Sequence, residues 1–181
     1  FYYEGTVWYK KSFDYKKKNP SNRIFVYFGA ANYQADVYLN GKKLGNHVGG
    51  FTPFQFEVTQ LLTEKNNFLI VKVDNKRKKE GVPTLNTDWW NYGGLTRDVK
   101  IVETADNFIQ DYMIQLDPND ITAIQGYVTL SGADIAARKM RILIPELNVN
   151  EEIVTDSMGT ARIHIRNTKI KYWSTEIPYL Y

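Results

Sequence analysis

Val37-Tyr38-Leu39-Asn40-Gly41-Lys42-Lys43-Leu44 decides the fold class. Two strand-like runs flank Asn-Gly, and these are the residues that tolerate the positive φ angles of a two-residue type I′ turn. The segment therefore predicts a β-hairpin. Outward from it, period-2 alternation recurs in short runs. Arg162-Ile163-His164-Ile165-Arg166 alternates cleanly, with both isoleucines on one face. Ile24-Phe25-Val26-Tyr27-Phe28 is apolar on both faces and reads as a central strand. Phe68 to Val73 and Val99 to Val102 read the same way, and Met140 to Ile144 gives a further strand before Pro145. Helical periodicity is confined to one turn's worth at Val58 to Leu62 and another at Gly132 to Arg138.

Composition agrees with an all-β reading. Hydrophobic residues make up 43% of the 181, enough for packed cores rather than disorder. Aromatics are 14%, with 13 Tyr and four Trp. Such residues suit half-buried sheet faces, and they equally suit the C–H faces of sugar rings. The charge is +3, from 23 Lys and Arg against 20 Asp and Glu, too small an excess to indicate a nucleic-acid partner. Lys16-Lys17-Lys18 and Lys76-Arg77-Lys78-Lys79 fall between strands and read as solvated loops. The absence of Cys removes disulfides and thiol chemistry. No apolar run approaches the ~18 residues of a membrane-spanning helix.

A boundary is expected at Thr104-Ala105-Asp106-Asn107. The region before it is rich in Gly, Asn and aromatics, and strands after it recur about every ten residues, a sandwich-like spacing. The expected domains are thus 1–105 and 106–181. The first residues already read as structure, so the chain is expected to begin inside a longer protein.

Four segments are more specific. Gly5-Thr6-Val7-Trp8-Tyr9-Lys10-Lys11-Ser12-Phe13 comes first. The hairpin segment then runs on through Gly49-Gly50-Phe51-Thr52-Pro53-Phe54. Asp88-Trp89-Trp90-Asn91-Tyr92-Gly93-Gly94-Leu95-Thr96-Arg97-Asp98-Val99 is the third, and Tyr172-Trp173-Ser174 with Pro178-Tyr179-Leu180-Tyr181 closes the chain. In this order and spacing they resemble glycoside hydrolase family 2, the family of β-galactosidases, β-glucuronidases and β-mannosidases.

The resemblance implies a jelly-roll, galactose-binding-like β-sandwich over 1–105, with its opening stretch missing. It implies an immunoglobulin-like sandwich over 106–181 that stops early. The catalytic (β/α)₈ barrel, with its acid/base and nucleophile glutamates, would lie downstream in the same chain. The function implied is a non-catalytic front region of a retaining β-glycosidase that shapes the rim of its pocket. No catalytic residue, metal site or cofactor is expected within the chain. The expected partners are a carbohydrate substrate and the downstream barrel, with no nucleic acid and no membrane span; a homo-oligomer is left open. By analogy with polysaccharide-degrading bacterial enzymes, a periplasmic or secreted location is favoured over a cytoplasmic one.

Asp88 matches the family position at which a sandwich loop reaches the barrel mouth and hydrogen-bonds sugar hydroxyls. A carboxylate accepts from two hydroxyls and so suits a vicinal diol; the competing reading is a turn Asp that caps its own backbone. Trp90 and Asn91 are the further substrate-binding candidates, Trp90 being equally a packing residue. Asn91-Tyr92 is closer to the β-glucuronidase form of this loop. Arg97 and Asp98 are expected to pair or to anchor the loop, Gly93 and Gly94 to permit a tight turn, and Trp8 and Trp173 to be core or interface aromatics. His47 and His164 lack partners at metal or triad spacing. Glu151-Glu152 reads as a polar loop.

Two other readings fit the same residues: a free-standing carbohydrate-binding module, and a structural or adhesion protein built from sandwiches. A second sandwich that stops early is also expected to leave an unpaired edge, a hazard for self-association.

Overall fold

The computed structural model describes residues 3–86, 88 and 92–181. It is all-β, the only helix among the described residues being a single 3-10 turn at Pro145–Leu147. No described helix is long and apolar enough to cross a membrane. The chain divides into two compact units, Phe1–Ala105 and Asp106–Tyr181.

The first unit contains β1 (Thr6–Phe13), β2 (Arg23–Phe28), β3 (Ala31–Asn32), β4 (Gln34–Leu39), β5 (Lys42–Val48), β6 (Phe54–Glu57), β7 (Asn67–Asp74), β8 (Gly94–Leu95) and β9 (Val99–Thr104). Four strands form one antiparallel sheet in the order β1-β7-β4-β5, and three form the other as β6-β2-β9. The short β3-β8 pair stands apart from both. Alternation decides what meets between the two large sheets. Ala35, Val37 and Leu39 of β4 and Leu69, Val71 and Val73 of β7 turn inward onto Ile24, Val26 and Phe28 of β2. Burial of each of the Val, Leu, Ile and Phe side chains among them stabilises by about 1.5–3 kcal/mol.

The Asn-Gly hairpin forms as expected. Asn40 has φ 51° and Gly41 φ 82°, and Leu39 pairs with Lys42 across the turn. A Cβ on Gly41 would meet nothing within 4 Å, so glycine is needed there for backbone conformation rather than for space. Asn40 does more than turn the chain. Its side-chain amide donates to the Leu61 carbonyl at 2.9 Å, and its Oδ1 accepts from the Phe68 amide at 2.9 Å. Val58 to Leu62 is the single turn anticipated, closed by a 3.0 Å bond from the Leu62 amide to the Val58 carbonyl.

The second unit contains β10 (Phe108–Leu116), β11 (Ala123–Ser131), β12 (Lys139–Ile144), β13 (Val149–Val154) and β14 (Thr160–Arg166). One sheet is ordered β10-β11-β14 and the other is the pair β12-β13. Ile124, Val128 and Ile163 from the first pack with Ile142 and Val149 from the second. Two strands do not cover three. Tyr112, Ile114 and Leu116 of β10 share the inner face with Val128 and Ile124, yet are 67%, 45% and 40% exposed.

Three local expectations need correction. Val99–Val102 is an edge strand rather than a central one, since β9 pairs only with β2 among the described strands. Gly132–Arg138 makes no helical turn, and Ala137 there has φ 53°. Glu151-Glu152 lies within β13, not in a loop; Glu152 faces Arg141 in register and its carboxylate pairs with Lys139 at 2.8 Å. Adjacent strand residues point to opposite faces, so these two carboxylates diverge.

Candidate functional site

The segment that carries Asp88 connects β7 to β8, and both of its ends are held. At the exit, Asp74 accepts from the Lys76 amide at 2.9 Å, a local turn clamp. Asn75 then bonds in two directions: its Oδ1 accepts from the Gly5 amide at 2.7 Å, and its Nδ2 donates to the Tyr3 carbonyl at 2.8 Å. Within the loop, the Gly81 amide donates to the Lys78 carbonyl and the Thr84 hydroxyl to the Lys79 carbonyl.

At the return, Asn32 donates through Nδ2 to the Tyr92 carbonyl at 2.7 Å. Asn32 is buried; this bond satisfies its Nδ2, while its Oδ1 has no partner among the described residues. Gly93 lies against Asn75, so a side chain at 93 would displace the residue that holds the exit. Gly94 has φ 93° and packs against the Tyr9 hydroxyl. The two glycines therefore serve close packing and a strand bridge, with Gly94 pairing to Asn32, rather than the tight turn expected of them.

Asp88 is exposed, and its carboxylate has no hydrogen-bond or ion-pair partner among the described residues. Other acidic turn residues in the chain do cap. Asp117 accepts from the Asn119 amide, Asp120 from Thr122, and Asp156 from the Met158 and Thr160 amides. Trp90 and Asn91, the other two candidates, and Trp89 lie outside the described residues. Tyr92 is 82% exposed and contributes its carbonyl to the Asn32 anchor.

Arg97 and Asp98 do not pair with each other. The Arg97 guanidinium donates to the Phe51 carbonyl at 3.3 Å, which is an anchor for the Gly49–Phe54 loop. Asp98 pairs with Lys100 at 2.9 Å and holds that lysine's ammonium above its ordinary pKa. His47 stacks on Phe54 at 4.2 Å between ring centroids and shares a 3.1 Å hydrogen bond with Thr52, so it is a packing residue. His164 is exposed on β14. Neither Trp8 nor Trp173 is a core residue; they are 60% and 57% exposed.

Sequence reasoning missed Asn32 and Asn75, the two amides that hold the loop. The available signal for Asn32 was a lone amide after Gly29-Ala30-Ala31, a run too small and apolar to sit at the surface. Nothing in the sequence pointed to Tyr92, sixty residues away, as its partner.

Residues 2–105 match the family model described as glycosyl hydrolases family 2, sugar binding domain. The chain belongs to glycosyl hydrolase family 2. Over 186 residues it is 27% identical to a putative β-glucuronidase of Formosa agariphila, covering 99% of this chain and 23% of that relative. A β-galactosidase of Thermoanaerobacter pseudethanolicus is 28% identical, covering 99% of this chain and 25% of that one. The solved structure of Bifidobacterium dentium β-glucuronidase in complex with coumarin-3-O-glucuronide superposes with a TM-score of 0.79 at 29% identity. That match covers 96% of this chain and 35% of the other. The chain thus spans about a quarter of the length of these curated relatives.

Proposed function

We propose that this chain borders the substrate pocket of a β-glucuronidase- or β-galactosidase-type family 2 hydrolase and that Asp88 accepts hydrogen bonds from the hydroxyls of the bound sugar. Glycosidic bond cleavage by a retaining mechanism needs two carboxyl groups about 5–5.5 Å apart. In this reading they belong to a catalytic barrel elsewhere in the same protein. The chain's own contribution is positional: residues 1–105 form the sugar-binding-type sandwich and present the Asp88 loop, and 106–181 form an immunoglobulin-like sandwich. Trp90 and Asn91 follow Asp88 closely in sequence and complete the proposed contact set.

One observation carries the assignment. In a family 2 chain, Asp88 is exposed and unpartnered among the described residues, on a loop clamped at both ends by Asn75 and Asn32. An exposed carboxylate with no partner among the described residues suits a vicinal diol. Anchored loop ends leave less chain entropy for binding to remove.

The test is Asp88→Ala in the full-length enzyme, assayed with nitrophenyl β-glucuronide and β-galactoside. Loss of a hydrogen bond to a charged group is worth about 1.5–3 kcal/mol, hence a fall of about 10- to 150-fold in kcat/KM. Unchanged kinetics on both substrates would sink the role of Asp88. The 181-residue chain by itself is expected to hydrolyse neither substrate.

A further inference from the structure

The outer face of the β1-β7-β4-β5 sheet has no use in the reading above. Alternation puts Trp8 and Lys10 of β1, Ile70 and Lys72 of β7, and Asp36 and Tyr38 of β4 on that face. Registers place them in adjoining rows. Trp8, Lys72 and Asp36 lie opposite one another, as do Lys10, Ile70 and Tyr38, with Lys43 of β5 opposite Tyr38.

Trp8 is 60% exposed, and its ring reaches across β7 to stack with Tyr38, centroids 6.5 Å apart and planes 30° apart. An indole on a solvated sheet face is an unsatisfied apolar surface with a flat shape. Ammonium groups lie on the same face. Lys43 pairs with Asp36 at 2.8 Å and sits 5.9 Å from the Tyr38 ring; Lys72 reaches the other oxygen of Asp36 at 3.8 Å. Lys10 sits 5.6 Å from the Phe68 ring, and Lys78 donates to Gln34 at the end of β4. Asp74, also at that end, is already engaged with Thr6 and the Lys76 amide.

Around the two stacked rings, three lysines thus face one carboxylate. A hydrophobic protein partner would be poorly served by alternating charges, since interface centres are depleted of them. An exposed indole braced by a tyrosine ring and flanked by hydrogen-bonding cations suits a sugar ring stacked on one face, with carboxylate substituents on its edge. From β1 to β5 the face spans three inter-strand spacings, about 14 Å. That is room for an oligosaccharide rather than a single sugar.

We propose that the outer face of this sheet is a second carbohydrate site, distinct from the contact proposed for Asp88, that holds an acidic oligosaccharide on Trp8 and Tyr38 with Lys10, Lys43 and Lys72 as charge partners. Unlike the proposed pocket rim, this site is complete within residues 1–105.

The experiment is calorimetric titration of the 181-residue chain with a hexameric oligogalacturonate. The control ligand is the same hexamer with its carboxylates reduced to alcohols. Sub-millimolar binding of the acidic hexamer is expected, with the reduced form binding more weakly. Affinity should fall several-fold from about 0.01 M to about 0.15 M salt, as the Debye length shrinks from about 30 to about 8 Å. Trp8→Ala should weaken binding roughly tenfold, the scale of losing an aromatic contact. Trp8→Phe should retain most of it, and Asp88→Ala should change nothing. The proposal is overturned by no heat at millimolar hexamer, by equal binding of the reduced form, or by loss of binding in Asp88→Ala. Full binding by Trp8→Ala would mean charge attraction without a site and overturns it equally.

Discussion

Tyr15 donates a hydrogen bond of 2.6 Å to Glu103, 88 residues further along the chain. The same carboxylate accepts from the Asn22 side-chain amide and the Lys18 backbone amide, each at 2.7 Å. One residue at the end of β9 therefore fastens the whole basic loop between β1 and β2. Lys16-Lys17-Lys18 is a solvated loop, but a pinned one.

These bonds set two pH limits. The Tyr15 hydroxyl and the amides that bond Glu103 hold its carboxyl down at about 2, below the ordinary 4.5. Its contribution to stability is complete above that ordinary value and is lost as pH falls toward 2. Burial, then the hydrogen bond to Glu103, push the Tyr15 hydroxyl up to about 12. Its contribution is complete below the ordinary 10 and is lost as pH rises toward 12. Urea unfolding midpoints should show Glu103→Gln less stable than the parent at neutral pH, with the gap closing toward pH 2. Tyr15→Phe should flatten the alkaline fall between 10 and 12. A constant gap at all pH values would mean that Glu103 does not titrate as described.

Phe28 is fully buried and stacks on Phe54, centroids 4.7 Å apart, at the centre of the first unit's core. Phe28→Ala should cost about 3–5 kcal/mol in denaturant unfolding, because the rigid sheets on either side cannot close the gap. A loss below about 1 kcal/mol would show that the core collapses freely around the site.

Gly126 sits in mid-strand on β11, where a Cβ would run into the Met113 carbonyl of β10. Gly126→Ala should therefore push β10 away and speed amide exchange across the β10–β11 ladder, leaving the first unit unaffected. Unchanged protection of Tyr112 to Leu116 would show that the backbone adjusts without cost.

The uncovered inner face of β10 predicts self-association. Asp111 is its only charged residue, so the strand lacks the lysines and prolines that usually blunt an edge. The chain should shift toward dimer with rising concentration in size-exclusion chromatography, and Ile114→Lys should return it to monomer. A monomer at all concentrations would count against pairing through this strand.

Asn32→Ala should free the Tyr92 carbonyl without touching Asp88. Limited proteolysis between residues 76 and 92 should accelerate while the unfolding midpoint drops by about 1–3 kcal/mol equivalent. If cleavage does not speed up, the loop is held by something other than this amide.

Alternation and turn chemistry made the strands legible. Ile163 and Ile165 turn inward as their spacing dictates, and Asn40-Gly41 adopts the two positive φ angles that its residue types favour. What periodicity does not encode is which strand ends up at an edge. Val99-Lys100-Ile101-Val102 has central-strand chemistry, and its position outside β2 is set by the order of the sheet. The site was half legible for the same reason. Asp88 stands out through its segment, but the amides that hold its loop act across 60 and 70 residues of sequence, and only the fold brings such pairs together.

Asn75 touches the chain ahead of β1 through Tyr3 and Gly5, and the returning loop through Gly93. The leading segment and the loop that bears Asp88 thus share one pin. Strain on the segment ahead of β1 is therefore passed through a single side chain to the loop that bears Asp88.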